Sequence, residues 1–289
     1  MTAKGFKKCA LILALCFMLQ KSPLRAAPGI VLGGTGCDAS GSNSIASGYY
    51  TTALSPQSVA FGSNTLASGT NSAAFGEGGT TASGNYSLAF GANTSAAGDG
   101  SIAFGTNNQA ENWLSAVLGG ANNTSSGYYA ITAGAYCTAG TCSVAIGEGA
   151  MASAGGVSIG WNTLSMGTDA TALGYGAQAL GNFSTASGYC TTASSLYSYA
   201  VGSMNGGLPN SGTESPTAWV PTDPIFEVGN GYITPGTWTP VYSDALVVYK
   251  NGNTTINGTV TISGTTNAVL VHPAGDLSMG SFTQGPQPN

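Results

Sequence analysis

Apolar positions along most of the chain fall into one five-residue form: a small polar residue, an apolar residue, alanine, a large apolar residue and glycine. Four copies are nearly identical, SVAFG at 58–62, SAAFG at 72–76, SLAFG at 87–91 and SIAFG at 101–105. Looser copies end at Gly119, Gly134, Gly147, Gly160, Gly174, Gly188 and Gly202, and Gly48 extends the series upstream. The spacing stays between 13 and 15 residues. A short fixed period of this kind marks a solenoid, in which each repeat stacks on the next. A weaker glycine marker recurs at half the period, at Gly69, Gly84, Gly98, Gly127 and Gly140. Each coil of about fourteen residues is therefore predicted to hold two short strands and two turns, with glycine supplying the positive φ that tight turns need.

Alternation within the motif predicts its faces. Phe61, Phe75, Phe90, Phe104, Leu118, Ile146, Ile159, Leu173 and Val201 each precede a repeat glycine. Val59, Leu88, Ile102, Ile131, Val144 and Val157 lie two residues earlier, on the same side of a strand. Stacking aligns both sets into apolar ladders, expected to form the solenoid core. Ala60, Ala74, Ala89, Ala103 and Ala145 then face the other way, where a neighbouring subunit would require small residues. At about 4.8 Å per coil, twelve coils make a rod of roughly 55 to 60 Å. The residues on which this repeat rests are Phe61, Gly62, Phe75, Gly76, Phe90, Gly91, Phe104, Gly105, Ile146, Gly147, Gly160, Gly174, Gly188 and Gly202.

The flanks read differently. Lys4, Lys7 and Lys8 precede an apolar run over residues 9–19, the pattern of a secretory signal peptide occupying residues 1–26. The run is too short to span a membrane. The repeat head is predicted over 27–203, followed by an irregular connector over 204–242 that carries Trp219, Trp238 and six prolines. Short strands with tight Asn-Gly turns are expected over 243–279, as a foot, and a loose tail over 280–289.

The SVAFG and SIAFG motifs, their spacing and the intervening ASG turns resemble the head repeats of YadA-like trimeric autotransporter adhesins. The resemblance covers about residues 45–202. It implies a left-handed parallel β-roll, a homotrimer, and binding to matrix proteins or other extracellular surfaces. The segment FEVGNG (226–231) and the run from Ala245 to Gly264 are similar to regions that follow such heads in secreted bacterial and phage fibre-like proteins. No sustained heptads or barrel strands follow residue 203, so the expectation is a head without the family's stalk and membrane anchor. The sequence reading is therefore a secreted or cell-surface, adhesin-like head with no transmembrane segment in the mature chain. Its partners would be its own copies and an extracellular protein or glycan. Alternatives are a structural fibre or tail-spike-like trimer, or an ice- or polysaccharide-binding solenoid, since Thr51-Thr52, Thr80-Thr81 and Thr191-Thr192 recur.

Composition narrows the chemistry. Only 6% of residues are charged, against about a quarter in ordinary globular proteins. Without residues 1–26, Lys250 is the sole basic residue against eleven acids. Nucleic acid is thereby excluded as a partner, because its binding depends on neutralising phosphates. IVLGGTGCDA (30–39) has a superficial dinucleotide-fingerprint look, but SGSNS follows instead of a helix. Gly156-Val-Ser158-Ile-Gly160 matches a hydrolase elbow, yet Ser158 falls at the alanine position of sister coils. The lone His272 is distant in sequence. Glu77, Asp99, Glu111, Glu148 and Asp169 fall in turns of different coils and read as solvated. The reading is non-enzymatic, with no catalytic, cofactor or metal residues nominated. Of the cysteines beyond the leader, Cys137 and Cys142 are close enough to predict a disulfide in an exported chain. Cys37 lies about seven coils from Cys137, too far to bridge, which leaves Cys37 and Cys190 as free, interchain or core thiols.

Overall fold

The computed structural model describes residues 28–206 and 213–259. The predicted leader, His272 and the tail from 280 lie outside them, as does most of the foot. Every regular element described is a β-strand. Each coil lays down one strand of five or six residues and one of two. The long strands stack in parallel from Ile30–Thr35 and Ile45–Tyr49 through Val59–Ser63 to Tyr199–Ser203. The short strands, from Thr52–Ala53 to Thr192–Ala193, form a second parallel sheet of eleven. The repeat sets the register: Phe61 lies beside Phe75, Phe75 beside Phe90 and Phe90 beside Phe104, with the glycines aligned one residue on. The chain is an all-β parallel solenoid with coils of about fourteen residues.

The faces are the reverse of the expectation. Ala46, Ala60, Ala74, Ala89 and Ala103 are wholly buried, in one cluster with Ala53, Ala67, Ala82, Ala96 and Ala110 of the short strands. Ala145 is equally buried. Phe90 is 57% exposed, and Leu118, Ile146 and Ile159 also lie on the outside. The cause is width. Two strands joined by tight corners leave a lumen lined by alanine, serine and threonine, too narrow for a phenyl ring. The small residues fill the interior, and the large ones can only point outward.

Two polar columns complete the lumen, and pattern reading missed both. The serine that opens most motifs is buried, and in several coils it ties its own turn. Ser44, Ser72, Ser143 and Ser198 donate to the carbonyls of Gly41, Gly69, Gly140 and Ser195 at 2.7 to 2.8 Å. At the opposite corner a buried Thr or Asn reaches the next coil. Thr80 donates to Gly91 O and Thr94 to Gly105 O, both at 2.9 Å, and Asn123 Nδ2 donates to Gly134 O at 2.7 Å. These bonds satisfy carbonyls that the narrow interior screens from water, where an unmet group would be costly. Thr51, Thr80 and Thr191 are therefore buried, and the threonine pairs do not form an outward hydroxyl array.

The glycines have two different reasons. Gly91 sits at φ +141°, and a Cβ there would lie 1.8 Å from Gly105 O. Gly69, at the half-period, needs no positive φ; a Cβ on it would meet Gly84 O at 1.9 Å. Close stacking of coils, not backbone conformation, fixes that second set. Elsewhere at the corners the left-handed conformation is taken by asparagines such as Asn64, Asn93, Asn107 and Asn122, which tolerate it better than most residues.

The solenoid fills the head to its start and extends past its predicted C-terminal end. Ile30–Thr35 is a rung, with Gly34 beside Gly48, so the dinucleotide-like segment is simply an earlier coil. Pro224–Asn230 pairs in parallel with Tyr199–Ser203, Phe226 beside Tyr199 and Gly229 beside Gly202. The predicted connector 204–242 thus contains a final rung behind an insertion. From there the direction reverses: Asp244–Tyr249 and then Thr254–Ile256 add antiparallel strands, in line with the Asn-Gly turn signal. In the middle, Gly120 rather than Gly119 lies beside Gly134, because the strand bulges between Val117 and Gly120.

Candidate functional site

With the core made of alanine, the outer face of the long-strand sheet carries the apolar mass. Phe61 and Phe75 stack with ring centroids 5.7 Å apart and nearly parallel planes; Phe75–Phe90 and Phe90–Phe104 follow at 6.1 and 6.4 Å. Phe75, Leu88, Phe90 and Phe104 enclose a shallow depression of about 400 Å³. Ile146, Ile159 and Leu173 continue the line through register pairs Ile146–Ile159 and Ile159–Leu173. Contiguous exposed apolar surface of this extent marks a contact site.

Residues 39–65, 82–108 and 167–189 match the family model of the YadA head domain repeat (2 copies). The solenoid fits a YadA-like head. No curated protein matches the chain.

Within the solenoid, the remaining sequence candidates fall as follows. Gly62, Gly76, Gly91, Gly105, Gly147, Gly160, Gly174, Gly188 and Gly202 all occupy the positive-φ strand position. Ser158 is buried, sits beside Ala145 and Ala172, and bonds Thr163 at 2.8 Å inside the lumen. It is a repeat variant and not a nucleophile on a turn. Glu77, Asp99, Glu111, Glu148 and Asp169 are exposed and dispersed, and among the described residues no group of three metal-ligating side chains converges. No helix among them is long and apolar enough to cross a membrane.

A carboxylate cluster that the sequence did not announce closes the C-terminal end. Glu227 stands beside Ala200 in register, so an acid occupies the inward position that alanine holds in most coils. It is 6% exposed and accepts a hydrogen bond from Asn205 Nδ2. Burial, reinforced by Asp244 and Glu214, pushes its carboxyl up to about 8. Burial also raises Glu214 and Asp244; the latter accepts the Gly206 N–H at 2.7 Å. The nearest cation, Lys250, is committed to Asp223 at 3.5 Å and lies 5.5 Å from the Trp219 ring centre. A cleft of about 370 Å³ opens over these groups. Perturbed acids in a cleft are a common feature of catalytic sites. Here the principal one sits in the lumen column of the last parallel rung, bonded to the buried Asn205, which is itself tied to Thr192.

The cysteines correct another expectation. Cys137 and Cys142 are both free, one buried and the other exposed. Cys137 takes the lumen-corner position of Thr94 and Asn123, its Sγ 3.3 Å from Gly147 O, whereas Cys142 occupies an outer corner at φ +56°. Their side chains point to opposite sides of the wall. Burial pushes the Cys137 thiol above its ordinary pKa, lowering its thiolate fraction and reactivity. In the folded protein without reductant, iodoacetamide is expected to label Cys142 promptly and Cys137 only after denaturation. Protection of both residues, released by reductant, would show a bridge instead.

Proposed function

We propose that this YadA-like head is a left-handed β-roll that associates as a homotrimer through its outward apolar ladder. It acts as a non-enzymatic, adhesin-like binding module at the cell surface or outside the cell, engaging an extracellular protein or glycan surface. The observation that carries the reading is the exposed Phe61, Phe75, Phe90 and Phe104 ladder. A thin coil whose core is alanine gains little from its own interior, because burying one methyl-sized group is worth about 0.8 kcal/mol whereas a buried phenylalanine is worth roughly 1.5 to 3. Packing such ladders around a common axis supplies the missing burial. The low charge and the alanine, serine and threonine lumen support a scaffold more than a reaction centre.

Sedimentation of the chain at micromolar concentration tests this. The wild type is expected to sediment as three copies, and Phe75→Ser with Phe90→Ser to fall to one copy with its β-sheet circular dichroism retained, since both side chains lie outside the core. A monomeric wild type, or a double variant that stays trimeric, would refute the association.

A further inference from the structure

One corner of the solenoid is broken by a notch. Asn71, Tyr86, Gly100, Leu114 and Tyr129 follow one another up successive coils, all at φ between +52° and +66°. Gly100 interrupts this column of side chains, and a Cβ on it would lie 2.6 Å from Leu114 Cδ2. The gap is the floor of a surface pocket of about 580 Å³ bordered by Thr70, Asn85, Tyr86, Asp99, Trp113 and Leu114. Tyr86 is 70% exposed and Trp113 47%. The Trp113 ring is held edge-to-face against Tyr129, centroids 5.2 Å apart. Asp99 is fixed by accepting the Asn85 backbone N–H on Oδ1 at 2.8 Å. Its Oδ2 has no protein partner among the described residues.

An aromatic face is electron-rich and attracts cations, and a carboxylate lining the same pocket as two exposed rings completes an environment suited to an ammonium or guanidinium group. The wider field has the same sign. Among the described residues Lys250 is the only lysine or arginine, and it is buried against Asp223, so nothing near the pocket competes for its carboxylate or repels a positive ligand. Resting on the reading of this chain as a binding head, we propose that the Gly100 notch takes the cationic end of a lysine or arginine side chain presented by a basic protein surface. Charge complementarity favours this occupant over an anionic glycan. A neutral sugar could use the same ring faces but would draw nothing from the surrounding acidic field.

The test uses the full chain, with immobilised oligolysine as probe and oligoglutamate and dextran as comparisons. Asp99→Asn and Trp113→Ala are each expected to weaken oligolysine binding by about fivefold or more. Glu148→Gln, which removes the same charge on a later coil, is expected to change it less than twofold. Gly100→Asn fills the notch with a residue that accepts positive φ and is expected to abolish the site's contribution with circular dichroism unchanged. Equal losses in Asp99→Asn and Glu148→Gln would reduce the effect to a diffuse field and overturn the proposal. Dextran binding that depends on Trp113, with oligolysine indifferent to it, would also overturn it by making the pocket a sugar site. Sedimentation of the same samples separates the two readings. A monomer that still shows the Asp99 effect defeats only the trimer, and a trimer without it defeats only the pocket.

Discussion

Replacing Gly91 by alanine is expected to be among the most damaging single changes in the solenoid, costing on the order of 4 kcal/mol or more. Two independent effects add. The residue is held at φ +141°, a conformation that alone costs a residue with a side chain roughly 1 to 3 kcal/mol. The new Cβ would also stand 1.8 Å from the Gly105 carbonyl oxygen, a contact relieved only by pushing the next coil away and breaking its ladder of hydrogen bonds. Gly119→Ala separates the two. Gly119 is at φ +146° but lies in the bulge, with nothing within 4 Å of an added Cβ, so it should show the conformational cost alone. Because each coil touches only its neighbours, the Gly91 variant is further expected to split the urea transition monitored by circular dichroism, uncoupling coils on either side. Equal losses for Gly91→Ala and Gly119→Ala would show that coil contact is not what requires glycine.

The contrast between those glycines also shows what the sequence could and could not reveal. Periodicity located the coils, the two strands per coil and nearly every register glycine, because a stacked fold repeats its constraints at a fixed interval. Direction was lost. Alternation says that Phe61 and Ala60 face opposite ways, but it does not say which way is in. In most sheets the larger apolar residue is inside, and that prior fails where the space between sheets is one methyl deep. A better signal was present in the serine and threonine columns: residues that recur every coil between alanines and can satisfy turn carbonyls belong to a narrow, hydrogen-bonded interior. Cys137 belongs to the same column, which is why its proximity to Cys142 in sequence misled. The Gly100 notch was legible only once the column around it was known. The last rung escaped because an insertion separates Phe226 from Tyr199, its partner in register, and a period cannot be counted across an insertion.

That last rung should make the C-terminal end of the solenoid lose stability as pH rises from acid to mildly alkaline. Glu227 has its carboxyl lifted from an ordinary 4.5 to about 8, chiefly because charging it would place an anion in the lumen, and secondarily because Asp244 and Glu214 face it. Below pH 4.5 the group is protonated both folded and unfolded, and the folded cap has its full stability. Between 4.5 and 8 the native state binds the proton that the unfolded chain has released, so stability falls with pH, and above 8 it levels off. At 1.36 kcal/mol per unit the ceiling is roughly 4 to 5 kcal/mol; water in the open cleft brings the expected loss to about 2 to 4. Glu227→Gln keeps an acceptor for Asn205 and removes the charge. It is expected to be more stable than wild type at pH 9 by a similar amount and to flatten most of the slope. A remainder would come from Asp244 and Glu214, which shift the same way. Glu227→Ala restores the residue that the repeat places beside it at Ala200, at the cost of leaving Asn205 without that acceptor, about 1 kcal/mol, and so should fall between the two. Amide hydrogen exchange of residues 226–230, read across pH against the same strand position at 199–203, localises the effect to the cap. Protection that rises from pH 5 to 8, or a slope that survives undiminished in Glu227→Gln, would refute the assignment of the buried proton to Glu227.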